Sequence, residues 1–124
     1  MKKLLLLLLL ICLTVHANVE FLNNNNFNNK ISKGIVVVEY WAEWNNTNKF
    51  KELKDLKDCT VYRACISSCS DAASKYKIKA IPTVIIYDNG EEVARFSPNI
   101  MLQLEATGKD VQSAIDEIVL NKFQ

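Results

Sequence analysis

Residues Ile35–Trp41 read Ile-Val-Val-Val-Glu-Tyr-Trp, a β-branched run that is apolar on both of its alternating faces until Glu39 interrupts it. Side chains along a strand point to opposite sides of a sheet, so such a strand needs hydrophobic cover above and below. A sheet held between two helical layers provides that cover. The neighbouring segments can supply the layers. Thr60–Ile66 reads as a second interior strand, and Thr83–Tyr87 and Glu92–Phe96 flank the turn signal Asp88-Asn89-Gly90 as a hairpin. Phe27 and Ile31 stand four apart, as on one short helix. A second helix is expected over 49–57, capped by Asn48 with Phe50, Leu53 and Leu56 as its stripe, and a third over 70–76. Thr107-Gly108-Lys109-Asp110 is patterned like a capping box ahead of Val111, Ala114, Ile115, Ile118 and Val119 on one face. With Phe21 and its neighbours as an edge strand, the order is a layered α/β sandwich. Ile100, Leu102 and Leu104 alternate like a strand within 97–106, and a helical turn fits them as well.

The chain starts differently from the rest. Lys2 and Lys3 precede the apolar run Leu4–Leu13, and Ala17 closes it. A basic start, a short apolar core and a small residue at the end form the pattern of a secretory signal peptide. The run is shorter than the ~20 residues a bilayer span requires. The expected division is therefore 1–17 as signal peptide and 18–124 as the domain, periplasmic or secreted, with no stable membrane anchor after processing. Cleavage after Ala17 removes the single histidine, His16, and with it Ser-His and Cys-His nucleophile pairs and imidazole metal sites. Of four cysteines, Cys59, Cys65 and Cys69 remain, and without histidine their spacing makes a poor zinc site, so no metal or cofactor is expected. Cys59 and Cys65 on one strand are about 20 Å apart, too far to bridge. A turn over Ser67-Ser68 makes Cys65–Cys69 a candidate disulfide in an oxidising compartment, with buried inert thiols as the competing expectation. A formal net charge of +1 gives no reason to expect nucleic acid.

Two blocks carry a family resemblance. Val38-Glu39-Tyr40-Trp41-Ala42-Glu43-Trp44 resembles the thioredoxin segment V-D-F-W-A-E-W, which runs on into C-G-P-C. Tyr76-Lys77-Ile78-Lys79-Ala80-Ile81-Pro82-Thr83 is similar to the family's Y-x-I-x-x-I-P-T. The resemblance implies a three-layer α/β/α fold with a central mixed sheet, and a cis-proline at Pro82 facing the active-site loop. It places Glu39 at the family's buried acid and Arg63 at its basic neighbour, an expected internal ion pair.

The departures decide the expected chemistry. Where the family has C-G-P-C this chain has Asn45-Asn46-Thr47-Asn48. Disulfide exchange needs a thiolate to attack and a second thiol to resolve, and a carboxamide does neither. The segment from Asn45 to Cys59 is also about two helical turns shorter than the family's, and 97–106 is extended. These features imply a redox-inactive exported protein, a binding or scaffold module for an extended polypeptide at Trp44, Asn45, Ile81, Pro82 and Thr83. Main-chain bonds would give such a module its affinity. The alternative is a thiol–disulfide oxidoreductase or redox sensor using Cys65 and Cys69, or Cys59.

Overall fold

A computed structural model describes residues 18–124, so the signal-peptide segment lies outside the described residues. Five strands form one mixed sheet: β1 Glu20–Leu22, β2 Ile35–Trp41, β3 Thr60–Cys65, β4 Thr83–Asp88 and β5 Glu91–Phe96. Their spatial order is β1-β3-β2-β4-β5. β3 runs parallel to both β1 and β2, while β4 is antiparallel to β2 and to β5. β2 is thus central, and Val36 to Tyr40 are buried without a break.

Alternation along β2 and β4 divides the core. Val36, Val38, Tyr40, Ile85 and Tyr87 face α1 (Phe27–Ile31) and α2 (Ser70–Lys75), where Phe27, Ile31 and Ala72 cover them. Val37, Val84 and Ile86 face the other way, against Phe50, Leu53 and α3 (Gly108–Asn121) with its Val111 and Ile115. Tyr40 and Tyr87 place two hydroxyls within the first core, 2.8 Å apart, so each satisfies the other. The capping box at α3 is formed: Thr107 Oγ1 accepts from the Asp110 amide, and Asp110 Oδ2 accepts from the Thr107 amide. Asn89 and Gly90 both adopt positive φ, the demand of a two-residue hairpin turn.

The helix expected over 49–57 does not form. The 3₁₀ segment Lys51–Asp55 occupies its place, and Lys49 and Phe50 separate it from an earlier one, Glu43–Asn48. A three-residue repeat fits a 3₁₀ turn as well as an α-helix, because i and i+3 eclipse at three residues per turn. Phe50 and Leu53 accordingly share the buried face. The break has its own cause. The Phe50 amide donates to Glu39 Oε2 at 2.7 Å, so it is unavailable to a continuing helix.

Glu39 is fully buried at the sheet centre. Its other oxygen accepts from Arg63 Nε at 2.8 Å, and Arg63 Nη2 donates to the Phe50 carbonyl at 3.0 Å. Burial raises the Glu39 pKa above its ordinary 4.5, although the Phe50 amide and Arg63 oppose the shift. The folded state therefore binds the proton more readily than the unfolded chain. It follows that the carboxyl's contribution to stability falls as pH rises from about 4.5 through the raised pKa. Urea unfolding of the protein and of Glu39→Gln across this range should show the parent losing stability relative to the variant with rising pH. A gain with rising pH would mean that the ion pair outweighs burial.

Candidate functional site

The β2 strand ends at Trp41, and the first 3₁₀ segment turns the chain across the sheet end toward the segment before β4. There the Ile81–Pro82 peptide bond is cis. Asn45 lies between these two segments and is almost entirely buried. Its Nδ2 donates to the Ile81 carbonyl at 3.2 Å and to the Leu102 carbonyl at 3.0 Å. Its Oδ1 accepts from Asn48 Nδ2 at 2.8 Å. Both amide hydrogens and the carbonyl of Asn45 are thereby used, as a buried carboxamide requires.

Of the five residues expected at a binding face, only Trp44 projects into solvent, at 68% exposure. Ile81, Pro82 and Thr83 are buried, with Ile81 a member of the first core and Thr83 Oγ1 donating to the Ala80 carbonyl at 2.6 Å. The structure brings Trp44 and Ile81 together in another way. They line a hollow of about 380 Å³ whose other apolar walls are Ile66, Ile78 and Leu102. That volume lies within the range of ligand pockets.

Leu102 was not marked by the sequence as a site residue. It belongs to the 97–106 segment, which is neither strand nor helix but a loop built around Asn99. Asn99 Oδ1 accepts from the Met101 and Gln103 amides, and its own amide donates to the Gln103 carbonyl. Leu102 adopts a positive φ of 55° and turns its carbonyl to Asn45. The extra length in this segment and its Asn were the available signals; the pairing with Asn45 was not legible, because it joins residues 57 apart.

The three cysteines are free thiols. The turn expected after Cys65 is present, with the Cys69 amide donating to the Cys65 carbonyl at 2.9 Å. The candidate Cys65–Cys69 bridge is not formed: Cys65 pairs with Ser67 Oγ at 3.2 Å, and Cys69 is buried in the first core. Burial pushes Cys59 and Cys69 up to about 11. Burial acts on Cys65 in the same direction, but the Ser67 hydroxyl and the Ser67 and Ser68 amides outweigh it and hold this thiol below its ordinary value. Among the described residues, no cluster of His, Cys, Asp or Glu could hold a metal ion.

The thioredoxin family model matches residues 18–107. The thioredoxin of Chlamydia pneumoniae is 32% identical over 83 residues, spanning 62% of this chain and 81% of its own. That of Staphylococcus epidermidis is 29% identical over 77 residues, 56% of this chain and 74% of the relative. Among solved structures, Malassezia sympodialis thioredoxin (Mala s 13) superposes with a TM-score of 0.63 at 20% identity, covering 84% of this chain and 96% of that one. Mitochondrial thioredoxin 3 of Saccharomyces cerevisiae in its oxidised form gives 0.53 at 19% identity, over 62% and 80%.

The Asn45 carboxamide holds the 97–106 loop to the sheet end. Asn45→Ala leaves the Ile81 and Leu102 carbonyls and the Asn48 amide without this partner, and should cost about 1–3 kcal/mol in denaturant unfolding. Amide exchange should accelerate at Met101 and Gln103 beyond the global change. Equal acceleration everywhere would show that Asn45 does not tether the loop.

Proposed function

We propose that this chain, which belongs to the thioredoxin family, is an exported, redox-inactive member that binds extended polypeptide at the face around Trp44. The observation that carries this reading is the Asn45–Asn48 pair. Two carboxamides hydrogen-bonded to each other stand where sulfur chemistry would require two thiols. Neither ionises, so the loop supplies no nucleophile and no leaving group. Fold alone does not supply the missing chemistry.

What remains is a surface. Trp44 is a large, rigid side chain held mostly in water beside an apolar hollow, the kind of residue that dominates binding when a partner covers it. Ile81 forms part of the hollow's wall, while Asn45 fixes Leu102 at its edge. The partner in this reading is a polypeptide rather than a nucleic acid, and no cofactor takes part.

A second reading rests on Cys65, the one thiol among the described residues with a lowered pKa, which the Ser67 hydroxyl contacts at 3.2 Å. Exchange there would use Cys69 as the resolving thiol, one helical turn away. Insulin reduction driven by dithiothreitol separates the two readings. No turnover above background is expected of the purified protein. Turnover that disappears in Cys65→Ser would overturn the inert reading and establish the second. For the binding role, Trp44→Ala should weaken peptide affinity by about tenfold while leaving the unfolding midpoint nearly unchanged. Export rests on Lys2, Lys3, the leucine run and Ala17. Mass spectrometry of the protein from its native host should find Asn18 as the first residue; an intact Met1 would remove this part of the proposal.

A further inference from the structure

The apolar hollow is not isolated. Lys79 and Ala80 also line a second hollow, of about 580 Å³, whose walls include Lys75, Lys77 and Arg95. The segment leading to the cis-proline therefore separates an apolar depression from a basic one. Charge in the second hollow is uneven. Glu92 is taken up by Arg95, with Nη2 to Oε1 at 2.6 Å and Nε to Oε2 at 3.2 Å. Arg95 also donates to the Tyr76 carbonyl at 2.6 Å, which braces the turn at Lys77, a residue with φ of 53°. Lys75, Lys77 and Lys79 are exposed, and none pairs with a carboxylate among the described residues. Three ammonium groups with no carboxylate partner thus lie in the basic hollow, Lys75 over the Tyr76 ring at 5.4 Å and Lys79 on the border with the apolar one.

We propose that the polypeptide bound at this face carries a large apolar residue followed or preceded within a few positions by acidic residues. The apolar side chain enters between Trp44, Ile78 and Leu102, and the carboxylates lie over Lys75, Lys77 and Lys79. This inference rests on the peptide-binding reading and names the class of peptide. Complementary charge orients a partner and raises its encounter rate, while desolvation of the apolar anchor supplies affinity. The surface as a whole fits an acidic–apolar peptide.

The test titrates three synthetic decapeptides into ¹⁵N-labelled protein: one with a single leucine and two nearby glutamates, its glutamine isostere, and a version with serine for leucine. The glutamate peptide should shift the amides of Trp44, Lys79 and Leu102 and bind about fivefold more tightly than the glutamine peptide, as two solvent-facing ion pairs allow. The gap should close at about 1 M salt, where screening acts within ~3 Å. The triple variant Lys75→Gln/Lys77→Gln/Lys79→Gln, at exposed positions, should bind both peptides equally. The serine peptide should bind most weakly. Equal affinity of the parent protein for the glutamate and glutamine peptides would overturn the acidic preference and leave peptide binding intact. Glutamate-dependent binding that is indifferent to the leucine and leaves Trp44 unshifted would overturn the two-part site. If none of the three peptides perturbs Trp44, the peptide-binding reading itself fails.

Discussion

A carboxylate at the centre of a sheet must be satisfied or the sheet does not form, and Glu39 is that group here. Taking a charged carboxylate out of water costs several kcal/mol even after relaxation, about as much as a small domain's whole margin allows. Two partners answer it. Arg63 comes from the neighbouring β3, in the register that sets Glu39 opposite it, and the Phe50 amide comes from the segment passing beneath. Arg63 then reaches on to the Phe50 carbonyl, closing a ring of three residues from three segments. The chain between β2 and β3 is fixed by this ring at its midpoint. That is why it crosses the sheet end as two short turns rather than one helix, and why Trp44 and Asn45 stand where they do.

Asn45 is held by the opposite logic. It is a neutral side chain, and its place at the sheet end depends on hydrogen bonds rather than charge. A thiol there would offer one weak donor and could ionise; a carboxamide offers two good donors and one acceptor in a plane. The chain uses the difference structurally. One hydrogen goes to the carbonyl before the cis-proline, the other to a loop 57 residues away, and the acceptor to Asn48. A neutral carboxamide at this position thus supplies the tether for 97–106.

Much of the fold was legible in the sequence because it rests on periodicity and local turn chemistry. The two-sided run at 35–41, the Asn89-Gly90 turn and the Thr107–Asp110 box each act within a few residues, and each stands in the structure. The helix over 49–57 was misread because Phe50, Leu53 and Leu56 repeat every third residue, which an α-helix and a 3₁₀ turn share. The Glu39 carboxylate, eleven residues away, takes the Phe50 amide and separates the two 3₁₀ segments, a long-range contact that this local pattern does not carry. The site was legible only in part. Motif position locates Trp44 and Asn45 but says nothing of exposure: Ile81, Pro82 and Thr83 are buried, and Ile81 meets the face only as a wall of the hollow. Leu102 joins the hollow through its tertiary contact with Asn45, which no local pattern announces.

The 97–106 loop shows what the rearrangement at this end of the sheet achieves. Its residues 100 and 101 are Ile and Met, 98% and 69% exposed, while Leu102 beside them turns inward. A loop whose only role was to join β5 to α3 would lower its free energy with polar residues at the tip, since burial favours apolar side chains by about 25 cal/mol per Å² and exposure forfeits that. Its conformation is nonetheless well defined, by four hydrogen bonds within the Asn99 turn and one from Asn45. Leu102 also holds a positive φ, which a leucine adopts at a cost of order 1 kcal/mol. Order, strain and exposed apolar side chains coincide in one segment, and that segment forms a wall of the same hollow as Trp44. Each feature alone is an expense to the folded chain. Together they are what a pre-formed contact surface requires, because a loop already held in place loses less freedom when a partner covers it.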